Sequence, residues 1–189
     1  MPYSCSAWIH GIRNGIDVAR AAGLQHVAGA TGRTSEAAVQ TLYGLAEIAL
    51  IDMGDFVGAM LKHLRDHPIP RVSIAGGVAK ITKLAQGRLD LHSKRGHADL
   101  DSLARLAAEA GAPNALAERI AGANTVAQCF QLAEQAGFAL GGRIARCARA
   151  VAARVLRGSE VDLEVLIFDR NGALVAESGF DRSVVARAG

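Results

Sequence analysis

Through the first half of the chain, short apolar runs that end in glycine alternate with amphipathic stretches, the rhythm of βα units feeding a parallel sheet. The spacing predicts strands over residues 25–29, 49–53 and 71–75, each with a helix behind it. The first of these helices is expected to start at Thr34 or Ser35, either of which can cap it, and to run through SEAAVQTLYGL. The second begins at Asp55 and ends before Pro68, and the third is VAKITKLAQG, closed by Gly87. Parallel strands joined by crossovers of one hand bring their glycine-rich ends to one edge of the sheet, where open α/β folds bind ligands. Ahead of the first strand, SAWIHGIRNGIDVARAAG reads as a helix with no strand before it, as though the chain began inside a βα unit.

Beyond Gly96 the pattern is helical: DLDSLARLAAEAG, a short piece near residues 114–121, NTVAQCFQLAEQAG, and GGRIARCARAVAARVLRG. Two apolar runs, VDLEVLIFD and ALVAES, then flank an Asn-Gly turn and predict an antiparallel hairpin. The expected organisation is therefore α/β: a parallel sheet with flanking helices over residues 1–97, a helical segment over 98–158, a β-hairpin over 159–180 and a loose tail over 181–189.

With 189 residues, half of them hydrophobic, the chain can bury one substantial core. Its 21 Lys and Arg against 18 Asp and Glu leave a formal charge of +3, too little to make nucleic acid or an anionic membrane a general partner. Cys5, Cys129 and Cys147 form no CxxC pair for zinc or dithiol chemistry, which fits a reducing compartment. Without a long apolar run or a signal-peptide pattern, the expectation is a cytoplasmic protein outside the membrane.

Charge becomes informative locally. Residues 71–96 carry Arg71, Lys80, Lys83, Arg88, Lys94 and Arg95 against Asp90 alone. Gly76 and Gly77 let a ligand approach a helix N-terminus, and Lys80 and Lys83 share a helical face behind them; the alternative is a solvated basic helix after an ordinary turn. GATGRTSE adds Gly29, Thr31 and Gly32 at another strand end, and DMGDFVG adds Asp52, Gly54, Asp55 and Gly58 at the third. No phosphate-cradling P-loop and no G-x-G-x-x-G is present. DMGDFVG half-resembles the acidic, glycine-rich turn of the commonest methyltransferase fold, with Phe56 where that pattern has glycine. His63 and His67 have i, i+4 spacing, but the second abuts Pro68 at a helix end that favours histidine anyway, so no bound metal is expected. His92 and Ser93 lack a triad context and are left as substrate-binding candidates. Arg143, Arg146, Arg149, Arg154 and Arg157 lie opposite Ile144, Val151 and Val155, either as a solvated face or as a second anion-facing surface.

Together PYSCSAWIHGI, HVAGATGRTSE, ALIDMGDFVGAMLK and IAGGVAKITKLAQGRLDLHS resemble the cobalt-precorrin-5B carbon-1 methyltransferase family, CbiD, over residues 2–93. The most specific element is G-x-x-x-K-x-x-K-L-A-x-G followed by His-Ser; Leu91 stands where many members carry Thr. The resemblance implies transfer of a methyl group from S-adenosylmethionine to carbon-1 of a cobalt-bound, ring-contracted tetrapyrrole during cobalamin biosynthesis. It also implies an N-terminal domain and one strand of a four-stranded parallel sheet ahead of this chain, which would be inactive alone and could self-associate through its open sheet edge or its hairpin. On this reading Gly29, Thr31, Gly32, Gly54 and Gly77 hold S-adenosylmethionine, and Lys80, Lys83, His92 and Ser93 hold the carboxylate-edged substrate. The competing reading is a non-catalytic module that binds an anion or a partner chain through the same edge.

Overall fold

In the computed structural model, which describes residues 4–92 and 97–182, six strands form one sheet. β1 (His26–Ala30), β2 (Leu50–Asp52) and β3 (Arg71–Gly77) lie within two residues of their expected bounds. They are parallel, with β1 in the middle: Gly29 pairs with Ile51 on one side and Ile74 on the other. β4 (Asp162–Phe168) continues the sheet, parallel to β3 from Arg71 opposite Asp162 to Gly77 opposite Phe168.

Four parallel strands are thus contained in this chain, a correction to the three expected in it. The correction rests on VDLEVLIFD, expected only as half of a hairpin. Leu163 through Phe168 are all buried, the two-sided burial of an inner parallel strand. The antiparallel pairing is also present: β5 (Leu174–Glu177) returns along β4 after a turn in which Asp169 Oδ1 accepts from the backbone N–H groups of Asn171 and Ala173. β6 (Asp181–Arg182) pairs with the start of β4, so the first two residues of the expected tail are in the sheet and residues 183–189 lie outside the described residues.

Among the described residues, α2 (Arg33–Tyr43) alone covers one face, where Val39 meets Ala28, Ala75, Leu166 and Phe168. The other face carries α1 (Cys5–Ala21), α3 (Val57–Asp66), α4 (Val78–Ala85) and α8 (Leu140–Val155), whose Ile16, Met60, Leu84 and Ile144 share a core with Ile74 and Val165. The small residues Ala145, Ala148 and Ala152 give α8 a flat buried side, while Arg146, Arg154 and Arg157 face solvent. Arg149 is half-buried and donates from Nη1 to the carbonyls of Ser178 and Gly179, between β5 and β6. α5 (Leu100–Glu109), α6 (Asn114–Ala121) and α7 (Val126–Gln135) complete the helical segment. No helix among the described residues is long and apolar enough to cross a membrane.

Below the C-terminal end of α2 the sheet buries a polar chain. The Ser73 hydroxyl donates to Glu164 Oε1, and His26 Nε2 lies 2.8 Å from Ser73 Oγ. Tyr43 lies beside them, and Phe180 packs against both the His26 and Tyr43 rings with Arg71 stacked 4.0 Å above it. Burial pushes the Glu164 carboxyl above its ordinary 4.5, and burial followed by Arg71 pushes the His26 imidazole below 6.5. A raised acid holds its proton more tightly folded than unfolded, so its contribution is present below the unfolded value and is lost as pH rises through the folded one. Glu164→Gln cannot ionise and avoids that loss. In urea denaturation from acid to neutral pH, Glu164→Gln should gain stability relative to the natural chain as pH rises above about 4.5; parallel pH profiles would refute the assignment.

Candidate site at the strand ends

The strand order β2-β1-β3-β4 reverses between β1 and β3, and such reversals leave a crevice beyond the C-terminal ends of the strands. Here the two ends are Thr31-Gly32 and Gly76-Gly77. They approach closely: the Thr31 N–H donates to the Ala75 carbonyl at 3.0 Å, and a β-carbon on Gly76 would come within 2.9 Å of Thr31 Oγ1. Only glycine fits there. Gly77 instead faces open space, with nothing within 4 Å of where its β-carbon would be.

A cavity of about 450 Å³ opens at this point. Its floor is Thr31, Gly32, Gly77 and Val78; its walls come from Thr125–Ala127 at the start of α7, from Phe168 at the end of β4 and from Asp169 and Arg170 after it. Three helix N-termini therefore meet around it. α7 is capped by Thr125, whose hydroxyl accepts from the Gln128 N–H, but α2 and α4 start at Gly32 and Gly77 without a side-chain cap. Neither Thr34 nor Ser35 caps α2, contrary to expectation: the helix begins one residue earlier, and the Ser35 hydroxyl donates back to the Gly32 carbonyl. Uncapped first-turn N–H groups at two positive dipole ends, with Arg33 and Arg170 on the lining, suit a carboxylate or phosphate. A larger cavity of about 890 Å³ adjoins it, sharing Val78, Thr125, Asp169 and Arg170, with Phe130, Phe138, Leu174 and Val175 among its apolar lining.

The expected site residues divide. Thr31, Gly32, Gly77 and Lys80 line the smaller cavity. Lys80 Nζ donates to the Thr31 carbonyl at 2.6 Å and lies 3.1 Å from Asp55 Oδ1, so it spans from the end of β1 to the loop after β2. Lys83 shares its helical face, yet its ammonium is used differently: the residue is 7% exposed, and Nζ donates to the Leu91 carbonyl at 3.0 Å. With the Leu91 N–H on the Asp55 carbonyl and the Gly58 N–H on the Leu89 carbonyl, that bond fastens the segment after α4 over the start of α3. His92 follows in that segment, its N–H on Asp90 Oδ1 at 3.1 Å, and Ser93 lies outside the described residues.

Gly29 is buried among core atoms, with Met60 Sδ and Met53 Sδ where a side chain would project, so it lets α3 lie against the sheet and lines neither cavity. Gly54, at φ +52°, has the Trp8 ring against it; the Trp8 indole N–H donates to the Asp52 carbonyl at 3.0 Å. The residues that sequence reasoning missed come from the second half of the chain. Thr125 carried a signal, a capping threonine three residues before a glutamine, whereas Phe168 to Arg170 were masked by the hairpin reading.

The model of the family described as CbiD, C-terminal domain, matches residues 90–179. The chain is 62% identical over 174 residues to a cobalt-precorrin-5B C(1)-methyltransferase of Agrobacterium fabrum, covering 92% of this chain and 46% of that protein. It is 57% identical over 182 residues to the protein of the same name from Halorhodospira halophila, covering 96% and 49%, and 54% identical over 175 residues to that of Brucella abortus, covering 93% and 48%. The chain spans about half the length of the curated relatives it matches. No solved structure matches it.

Two substitutions test the packing roles. Gly29→Ala drives a β-carbon into Met60 and should cost about 1–3 kcal/mol of stability. Lys83→Met strips the buried Leu91 carbonyl of its donor and should cost about 1–3 kcal/mol. Both are read by urea denaturation; full stability in either variant would remove that role.

Proposed function

We propose that this chain, similar over most of its length to cobalt-precorrin-5B C(1)-methyltransferases, forms the part of such an enzyme that holds S-adenosylmethionine against a cobalt-bound tetrapyrrole for methylation at carbon-1. The observation that carries this reading is the cavity at the β1/β3 reversal, where two uncapped helix starts and a glycine floor await an anionic group. On this reading the carboxylate of S-adenosylmethionine takes the N–H groups at the starts of α2 and α4, over Thr31, Gly32 and Gly77. Lys80 is held at the cavity edge by the Thr31 carbonyl and Asp55, ready to share its charge with an incoming carboxylate.

The adjoining larger cavity suits the substrate. A tetrapyrrole offers a wide apolar face edged by carboxylates, and Phe130, Phe138 and Leu174 supply apolar surface while Arg170 stands where the two cavities meet. A sulfonium methyl is reactive without covalent help, so the work left to the protein is alignment of the methyl with the ring carbon and exclusion of water. The other half of such an enzyme is the natural partner for closing the open side of these cavities, and a cytoplasmic location belongs to the same reading.

Binding of S-adenosylhomocysteine, followed by calorimetry, tests the assignment. Gly77→Val places a side chain into the open cavity without touching the existing packing and should weaken binding at least tenfold. Lys80→Met should lose about 1.5–3 kcal/mol, the worth of a charge-assisted hydrogen bond, whereas Lys62→Met, exposed on α3, should bind as the natural chain does. Unchanged affinity in Gly77→Val would place the ligand elsewhere.

A further inference from the structure

At the other end of α3, away from both cavities, three side chains with metal-binding atoms converge. His63 and His67 stand one turn apart with their rings stacked, centroids 4.3 Å apart and planes 24° apart. α1 packs along α3 and brings Asp17 against them, with Asp17 Oδ1 2.8 Å from His63 Nε2. One ligand atom from each of the three residues lies within 4.8 Å of the others. Zinc bonds of about 2.0–2.1 Å in a tetrahedron space the donors about 3.4 Å apart. One pair is already inside that distance, and the third donor lies within 4.8 Å of both.

A second observation concerns tautomers. His67 Nδ1 lies 3.3 Å from the His63 carbonyl, an oxygen that also accepts the His67 backbone N–H. A carbonyl can only accept, so Nδ1 is the protonated nitrogen and the Nε2 lone pair is left free. Metal-ligating histidines are oriented by this kind of carbonyl contact.

We propose that Asp17, His63 and His67 bind a divalent transition-metal ion of the zinc class and thereby clamp α1 to α3. Two imidazole nitrogens and one carboxylate select zinc and its neighbours over magnesium or calcium. The His63 side chain is 13% exposed and that of Asp17 50%, so the mouth is open to an entering ion, and water can take the fourth position. The hydrogen bond from His63 holds the Asp17 carboxyl below its ordinary range, so it is ionised at neutral pH. Of the nearby charges, Arg65 and Asp66 pair with each other at 2.8 Å, and Arg20 acts on Asp17 after the two histidines. The ion would replace the proton that Asp17 and His63 share, so its binding releases a proton. It lies far from the proposed methyl transfer and holds together helices rather than reactants.

Zinc added to the 189-residue chain, followed by calorimetry, and cobalt(II), followed by its visible spectrum, test the proposal. The expected result is one saturable zinc site, a tetrahedral cobalt spectrum and a thermal midpoint raised by zinc. Asp17→Asn and His67→Gln, both folded by circular dichroism, should each weaken zinc binding by about tenfold or more and lose the cobalt bands; His97→Ala should change neither. Absence of a saturable site in the natural chain, or equal affinity in His67→Gln, would overturn it.

Discussion

Because the chain crosses from β2 over β1 to reach β3, the helices that follow β1 and β3 must leave the sheet on opposite faces, α2 on one and α4 on the other. Neither can cover the gap between the strand ends that feed them. The N–H groups of their first turns are directed into that gap, and with Gly32 and Gly77 as caps no side chain takes them up. Unpaired donors at a helix start cost stability unless water or a ligand accepts from them. A fold concerned with stability alone would place serine, threonine or aspartate there, as the same chain does at Ser4, Asp99 and Thr125. Glycine at these two caps therefore gives up a local stabilisation and keeps the backbone open to a ligand.

The other end of the sheet shows the opposite solution. His26, Ser73, Glu164 and Tyr43 partner one another beneath α2, with Phe180 and Arg71 closing over them. A buried carboxyl group is expensive in an apolar surrounding, and the hydrogen bond from Ser73 helps to make it tolerable. The two edges of one sheet thus differ in kind: polar groups are exchanged within the protein at one and are presented outward at the other.

How far the sequence could be read follows from this physics. Short apolar runs ending in glycine locate β1 to β3, and the 3.6 periodicity locates the helices between them, because each packs against a near neighbour. β4 was legible as a strand but not in its place: 84 residues, 78–161, separate the end of β3 at Gly77 from the start of β4 at Asp162, and the intervening helices give no signal of which strand the chain returns to. Side-chain destinations were hidden for a similar reason. Lys80 and Lys83 share a helical face as their spacing requires, yet one reaches a strand end and the other a loop carbonyl, which depends on a segment folded back from residues 89–91. Gly29 and Gly77 look alike as glycines at strand ends. The alternation along β1 puts Gly29 on the side of Val27, toward α3, where Met60 fills the space; no local pattern announces Met60.

The pairing of β3 with β4 also joins the two halves of the chain into one site. Residues 90–179, the stretch matched by the family's C-terminal domain, hold the walls of the cavity at Thr125–Ala127 and Phe168–Arg170, whereas its floor of Thr31, Gly32 and Gly77 belongs to the first half. The seven-residue parallel register of β3 on β4 sets Gly77 beside Phe168, so the floor and one wall are neighbours across a single ladder. α4 then packs against α7 and α8, which carries the N-terminus of α7 to the same opening. Any change that shifts this register by one residue turns Leu166 and Phe168 from the α2 face to the other and removes the wall along with the core contact. Cavity shape and sheet stability are for that reason tied to the same strand pair, and the cavity is a property of the whole sheet, its floor supplied by one half of the chain and its walls by the other.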